Sequence, residues 1–208
     1  TDDVDEKEFL DFIDRIENNE SQGNFEFEEI HIDYNQGKEL SVDFDEINLN
    51  SFEKIAKVGE GQYGEVFKVR DKRNDSLYAA KVNQLLIENC TFAQMKCLSR
   101  EINILAKLNS PLVVKFIGFN RKNFEGEKRP TIITEFIKNT SLYKIIELNN
   151  RGMKPSEWNA TKLLIVTYGI AARMAHLHSL NILHRDLKSE NVFLDEYFSP
   201  KIGDFGLS

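Results

Sequence analysis

Cysteine is almost absent from this sequence: Cys90 and Cys97 are the two thiols in 208 residues. Two thiols cannot build a disulfide framework, which sets the chain apart from small cross-linked secreted domains and favours a reducing setting, cytoplasmic or nuclear. No run of 18 or more apolar residues occurs, so nothing reads as a membrane-spanning helix and no membrane insertion is expected. The first residues, Thr1-Asp2-Asp3-Val4-Asp5, lack the basic start and apolar stretch of a signal peptide. They also lack an initiating Met, as a piece of a longer protein would. Repeats and low-complexity tracts are missing too. The length suits one ordinary domain or two small ones.

What is present is unevenly charged. The net charge is −7. Residues 1–50 hold 17 acidic and 3 basic side chains, a balance of −14, whereas the rest hold 17 and 24, a balance of +7. An acidic protein is a poor candidate for nucleic-acid binding, so no nucleic-acid partner is expected. Phe9, Phe12, Ile13 and Ile16 recur at helical spacing and predict an amphipathic helix over 5–18. Phe25-Glu26-Phe27 alternates as extended chain does. The acidic leader 1–50 is expected to be partly disordered or packed on the body, with a possible partner of its own.

From Ser51 the pattern tightens. Residues 52–58, 65–71, 77–82, 113–119 and 131–136 read as strands, and 91–108 as a helix striped by Met95, Leu98, Ile102, Leu105 and Leu108. Residues 120–130 suit a hairpin connection. Beyond a divide near 138–139 the chain becomes helical, with helices expected at 142–149 and 157–179 and short strands at 191–194 and 201–202.

Chemistry-bearing residues punctuate these elements. Gly59-Glu60-Gly61-Gln62-Tyr63-Gly64-Glu65-Val66 supplies glycines that let backbone N–H groups approach phosphate oxygens. G-x-G-x-x-G alone is a weak signal, because dinucleotide-binding folds share it. Here Val66-Phe67-Lys68-Val69 follows, which favours a hairpin over the helix of a Rossmann turn. Lys81 lies inside the apolar Tyr78-Ala79-Ala80-Lys81-Val82 and calls for a carboxylate partner. Glu101 can supply it from the striped face of the 91–108 helix. A plain reading of Lys81 as a solvent-facing strand residue is equally open on that segment alone.

His184-Arg185-Asp186-Leu187-Lys188-Ser189-Glu190-Asn191 is the strongest element. Asp186 can accept a hydroxyl proton, Lys188 can balance phosphate charge and Asn191 can ligate a metal through its amide oxygen. Asp204-Phe205-Gly206 adds a hard oxygen ligand and a flexible turn. Six matched positions arise by chance with odds on the order of 10⁻⁶ in a chain this long.

With these five signatures in order, residues 52–208 resemble the eukaryotic protein kinase family, most closely its tyrosine-kinase-like group. The resemblance implies an α+β, bilobal fold: a five-stranded antiparallel N-lobe sheet plus one helix over 51–138, and an incomplete helical C-lobe over 139–208. It implies ATP and Mg²⁺ as cofactors and a protein substrate with a Ser/Thr acceptor. Lys81 would contact the α- and β-phosphates and pair with Glu101. Asp186 would orient and deprotonate the hydroxyl, and Lys188 would steady the γ-phosphate. Asn191 and Asp204 would hold Mg²⁺. Thr134 resembles the gatekeeper, with the backbones of Glu135 and Ile137 bonding adenine and Val66, Ala79 and Phe193 enclosing it. Leu105, Phe116, His184 and Phe205 would stack as a regulatory spine. The activation loop and later C-lobe helices would follow Ser208, leaving helix 157–179 with exposed apolar surface. The alternative is a nucleotide-binding, kinase-like scaffold without activity as the truncated chain.

Overall fold

The computed structural model describes residues 4–21, 45–61, 64–108, 110–138 and 141–205. The stretch expected to be extended at 25–27 lies outside them, as do Gln62, Tyr63, Asn139 and Gly206. The chain divides into two compact units. A sheet unit holds the described residues from Asp45 to Leu108, with Val114–Phe136 and Phe205. A helical unit holds the described N-terminal residues, Ser110–Val113 and Ile137–Asp204.

In the sheet unit, β1 (Phe52–Gly61), β2 (Gly64–Asp71), β3 (Leu77–Asn83), β4 (Phe116–Asn120) and β5 (Thr131–Glu135) form one sheet in the order β1-β2-β3-β5-β4. Every neighbouring pair is antiparallel, as the resemblance implied. The β2–β3 turn is short because Asn74 Oδ1 accepts from the Ser76 N–H at 3.0 Å and Asp75 adopts a left-handed φ of 59°. Asn123 holds the β4–β5 connection in the same manner, its Oδ1 accepting from Glu125 and Glu127 N–H groups. One sheet face buries Val69, Ala80 and Ile133 against Leu49 and Phe52. Each large apolar side chain so buried contributes about 1.5–3 kcal/mol. Helix α2 (Phe92–Lys107) starts at a capping box in which Thr91 Oγ1 accepts from Gln94 N–H and Gln94 Oε1 accepts from Thr91 N–H.

A short segment ahead of β1 covers the edge strand β4. Ile47 N–H donates to Phe119 O at 2.8 Å, and Asn120 Nδ2 donates to Ile47 O at 2.9 Å. Gly118 makes this approach possible, since a Cβ there would lie 2.8 Å from Ile47 Cβ.

The helical unit contains α1 (Glu6–Ser21), α3 (Leu142–Asn150), α4 (Ala160–Ser179) and a two-stranded hairpin of β6 (Val192–Leu194) and β7 (Pro200–Ile202). Phe12 and Ile16 of α1 bury against Ile165 of α4, with Phe9 and Ala172 packed around them. Tyr168 meets Phe9 and Phe12 edge-on, with ring centroids 5.8 and 6.4 Å apart. Polar contacts fix the register: Asp5 N–H donates to Thr161 Oγ1 at 2.7 Å, and Lys162 pairs with Glu8. Part of the α4 surface expected to be bare is therefore covered by α1, while Leu163 and Leu164 stay exposed.

Some boundaries differ from the sequence reading. The 157–179 helix begins at Ala160, because Asn159 Oδ1 takes the Lys162 N–H and caps it there. The strand expected from 113 begins at Phe116, and Val113 instead makes an isolated parallel bridge to Ile202. Asn191 ends a three-residue 3₁₀ turn, Ser189–Asn191, and β6 starts one residue later.

Candidate active site

The sheet places its candidate residues by register. Lys81 lies opposite Val66 on β2 and Ile132 on β5, and Ala79 lies opposite Thr134. Residues two apart on a strand share a face, so Val66, Ala79, Lys81 and Thr134 line one face. The core of Val69, Ala80 and Ile133 occupies the other. Lys81 Nζ donates to Glu101 Oε1 at 2.7 Å. Glu101 is buried on the inner face of α2 beside Ile102 and Leu105, so the ion pair explains a carboxylate at an apolar position.

The glycine-rich segment is a hairpin, with Glu60 opposite Glu65 and Gly61 opposite Gly64. That excludes the helix-opening turn of a dinucleotide fold. Its three glycines have different reasons. Gly64 has φ 143°, and a Cβ there would sit 2.0 Å from Val82 O, so the chain itself forbids a side chain. Among the described residues, Gly59 would meet only Val66 at ordinary contact distance, and a Cβ at Gly61 would meet nothing within 4 Å. Packing among the described residues does not require glycine at 59 or 61.

Glu135 donates its backbone N–H to Lys115 O at 2.9 Å, and its backbone carbonyl accepts in turn. Thr134 Oγ1 leans toward that carbonyl at 3.4 Å. Ile137 belongs to the helical unit and is half-buried. Phe193 is in β6, opposite Lys201 and bridged to Ser141. Of the proposed spine residues, Leu105, His184 and Phe205 are buried and Phe116 is half-buried.

In the helical unit the 184–191 loop is built around Asp186. Its Oδ2 accepts from Lys188 Nζ at 2.8 Å and from Asn191 Nδ2 at 3.1 Å. Asn191 Nδ2 also donates to Asp186 O at 2.8 Å. Both partners are acceptors, so the amide nitrogen must face them and the amide oxygen is the group left over. The Lys188 ammonium holds the Asp186 carboxyl below its ordinary value, and the Asp186 carboxylate in turn raises Lys188. Asp186 is thus a carboxylate at neutral pH, with an ammonium beside it.

His184, which is 1% exposed, joins this loop to the Asp204 segment. Its Nε2 donates to Gly203 O at 2.9 Å, leaving Nδ1 to accept from the Asp186 N–H at 3.4 Å. Gly203 N–H donates to Asn191 O at 3.0 Å. Asn191 and Asp204 are therefore tethered through one hydrogen bond and one peptide link. Arg185 and Asp204 have left-handed φ angles of 59° and 63°, conformations that cost non-glycine residues about 1–3 kcal/mol and gather at functional sites. Among the described residues no group of three or more His, Cys, Asp or Glu side chains could hold a metal. One carboxylate and one amide oxygen nevertheless fit Mg²⁺, which retains water and shares phosphate oxygens.

Sequence reasoning missed His184 as a polar tether, and it missed Arg173 and Gly169 of α4, which bear on the β6–β7 hairpin. The single Arg inside the apolar 157–179 pattern was the available signal.

Comparison with known proteins identifies the family of this domain. The family model described as protein kinase domain matches residues 52–208. An Aurora kinase of Saccharomyces cerevisiae is 31% identical over 165 residues, covering 79% of this chain and 42% of that protein. Cysteine-rich receptor-like protein kinase 44 of Arabidopsis thaliana is 36% identical over 176 residues, 82% of this chain and 43% of that protein. Serine/threonine-protein kinase A-Raf of Homo sapiens is 31% identical over 164 residues, 78% of this chain and 24% of that protein. The chain thus spans less than half the length of these relatives. It has the five-stranded antiparallel sheet, the Lys81–Glu101 pair and the Asp186-centred loop, and from Phe52 onward it belongs to the protein kinase domain family.

Proposed function

We propose that residues 51–208 belong to a serine/threonine protein kinase that transfers the γ-phosphoryl group of ATP to protein hydroxyls, with residues 1–50 as an acidic leader. The observation that carries this reading is the Asp186 carboxylate, held between Lys188 and Asn191. In the transfer, the acceptor Oγ forms a bond to Pγ, the bond from Pγ to the β,γ-bridging oxygen breaks, and the hydroxyl proton passes to Asp186. An ionised, low-pKa carboxylate suits orienting the hydroxyl early and taking its proton late. Lys188 balances charge on the phosphoryl oxygens.

Lys81, oriented by Glu101, binds the α- and β-phosphates. The segment Gly59, Glu60, Gly61, Gln62, Tyr63 and Gly64 covers them with backbone N–H groups. That packing among the described residues does not need glycine at 59 and 61 supports a ligand lying close to the backbone there. Val66, Ala79 and Phe193 contact the adenine, Thr134 limits its depth, and the Glu135 carbonyl and the Ile137 backbone bond its edge. Asn191 and Asp204 would hold Mg²⁺, which supplies charge neutralisation on the phosphates. The relatives named as serine/threonine kinases, and Lys188 within the loop, favour Ser/Thr acceptors. Two free thiols, Cys90 and Cys97, fit a cytoplasmic signalling protein.

The test is phosphate incorporation from Mg²⁺-ATP into a mixed protein substrate by the full-length protein, beside Asp186→Asn. Phosphoserine and phosphothreonine that depend on Asp186 are expected. Equal incorporation by both proteins, or phosphotyrosine alone, would refute the assignment.

A further inference from the structure

The β6–β7 hairpin does not stand free: α4 grips the point where β7 begins. Arg173 is only 3% exposed, deep in the helical unit. Its Nη1 donates to Gly169 O one turn earlier at 3.0 Å, and its Nη2 donates to Ser199 Oγ at 2.9 Å. Gly169 lies on the same helical face, four residues before Arg173. A Cβ on Gly169 would stand 2.6 Å from Pro200 Cγ, 2.8 Å from Pro200 Cδ and 3.1 Å from Arg173 Nη1. The glycine therefore admits the proline ring, and the arginine, braced on the Gly169 carbonyl, holds the preceding serine.

The turn itself is stiff. Asp195 Oδ1 accepts the Tyr197 and Ser199 N–H groups, both at 2.9 Å, and Phe198 takes a left-handed φ of 62°. Phe198 is buried against Trp158, with ring centroids 5.6 Å apart. From Pro200 the chain runs through Lys201 and Ile202, where Ile202 N–H donates to Leu112 O at 3.3 Å, to Gly203 and Asp204. β7 ends at Ile202, and Gly203 alone, itself bonded to Asn191 O and to His184 Nε2, separates it from Asp204, so a slip at Ser199 is passed along a short strand and one tethered residue.

We infer that Arg173, with Gly169, is a positioning residue for Asp204: it seats Ser199 and Pro200 on α4 and so sets where β7 delivers the carboxylate relative to Asn191. The inference rests on the reading of Asn191 and Asp204 as Mg²⁺-holding residues. A cation fixed in a planar fork restrains direction as well as distance, which a single hydroxyl or apolar contact does not. Ligand sets for small hard cations tolerate little displacement, so the consequence falls on metal affinity more than on folding.

The test is Mn²⁺ titration in the presence of ADP, followed by electron paramagnetic resonance, on the wild type, Arg173→Met, Arg173→Lys and Ser199→Ala. Thermal unfolding of each is recorded without ligand. Arg173→Met is expected to weaken Mn²⁺ binding about tenfold, in line with other groups that orient metal ligands. Arg173→Lys, whose ammonium still reaches a hydroxyl, is expected to recover part of that loss. Ser199→Ala, which removes one surface-proximal hydroxyl, should weaken binding severalfold in a protein that folds even if Arg173→Met does not. In the full-length protein the Mg²⁺ concentration for half-maximal phosphorylation should rise in the same order. Wild-type Mn²⁺ affinity in Ser199→Ala and in any folded Arg173→Met, with only a lowered unfolding temperature, overturns the inference and leaves Arg173 a packing residue. Absence of Mn²⁺ binding by the wild type itself overturns the underlying metal reading instead.

Discussion

Lys81 Nζ and Glu101 Oε1 are 2.7 Å apart, joining the middle of β3 to the buried face of α2. The glutamate side chain is 7% exposed and the lysine 25%, so the two ends of this pair are not equivalent. Removing the lysine takes the ammonium away from a largely buried carboxylate, whereas neutralising the glutamate leaves an ammonium that still reaches water. Lys81→Met is therefore expected to destabilise the sheet unit by about 3 kcal/mol. Glu101→Gln, an isostere that still offers an oxygen, should cost about 1 kcal/mol or less. Both should lower phosphoryl transfer by about 10²-fold, because each disturbs the charge proposed to face phosphate. Denaturant unfolding beside initial rates checks this, and equal stability losses would contradict the asymmetry.

The two ends of the glycine-rich hairpin should respond oppositely to the same change. Gly64→Ala places a methyl group 2.0 Å from Val82 O at a φ of 143°, so β2 must shift away from β3. A stability loss of about 2 kcal/mol or more is expected from strain and lost ladder bonds. Gly61→Ala meets open space and should leave stability within about 0.5 kcal/mol of wild type. Its effect should fall on nucleotide affinity, as a raised KM for ATP with an unchanged unfolding midpoint. A large stability loss in Gly61→Ala would show that packing, and not a ligand, requires that glycine.

Helix α1 should come away from α4 as a unit. Phe12 is 3% exposed and sits with Ile16 on Ile165. Phe→Ala in a closed core costs about 3–5 kcal/mol, but a docked helix can detach, so the loss is capped by the docking free energy. Phe12→Ala should speed amide exchange in α1 by about 10²-fold, equivalent to roughly 3 kcal/mol at 1.4 kcal/mol per decade. Exchange in α2, which lies in the other unit, should be unchanged. Faster exchange throughout both units would show α1 to be integral to global folding.

How much was legible beforehand follows from the range of the forces involved. Strands, α2 and the hairpin nature of the glycine segment were readable because side-chain period and turn residues are local. The order of the 184–191 loop residues was readable for the same reason, since Asp186, Lys188 and Asn191 meet within six residues of chain. The Arg173–Ser199 bond links residues 26 apart, and the Asp5–Thr161 bond links residues 156 apart. No local pattern encodes such pairings. The start of α4 was misplaced by three residues because Trp158, although apolar, belongs to the turn that packs on Phe198 and not to the helix.

The strap ahead of β1 gives a prediction with a definite pH dependence. Glu46 Oε2 accepts the Arg121 N–H at 3.0 Å, and its other oxygen pairs with the Arg121 guanidinium. Partial burial pulls this carboxyl up, but the Arg121 N–H and guanidinium outweigh it and hold Glu46 below its ordinary 4.5. A carboxyl with a depressed folded-state pKa adds stability that is fully present above 4.5 and disappears as pH falls through the lowered value. Glu46→Gln keeps an oxygen for the Arg121 N–H and removes the charge. At pH 7 it should lower stability by about 1 kcal/mol or less, as for other partly exposed ion pairs. The difference between wild type and Glu46→Gln in thermal midpoint should stay constant from pH 8 to about 5 and shrink below the ordinary Glu range, where wild-type Glu46 also becomes neutral. High salt at pH 7 should shrink it too, through screening of the exposed side of the pair. A difference that grows on acidification would have the wrong sign for a carboxylate held by Arg121 and would assign the anchoring of Ile47 on β4 to its backbone bonds alone.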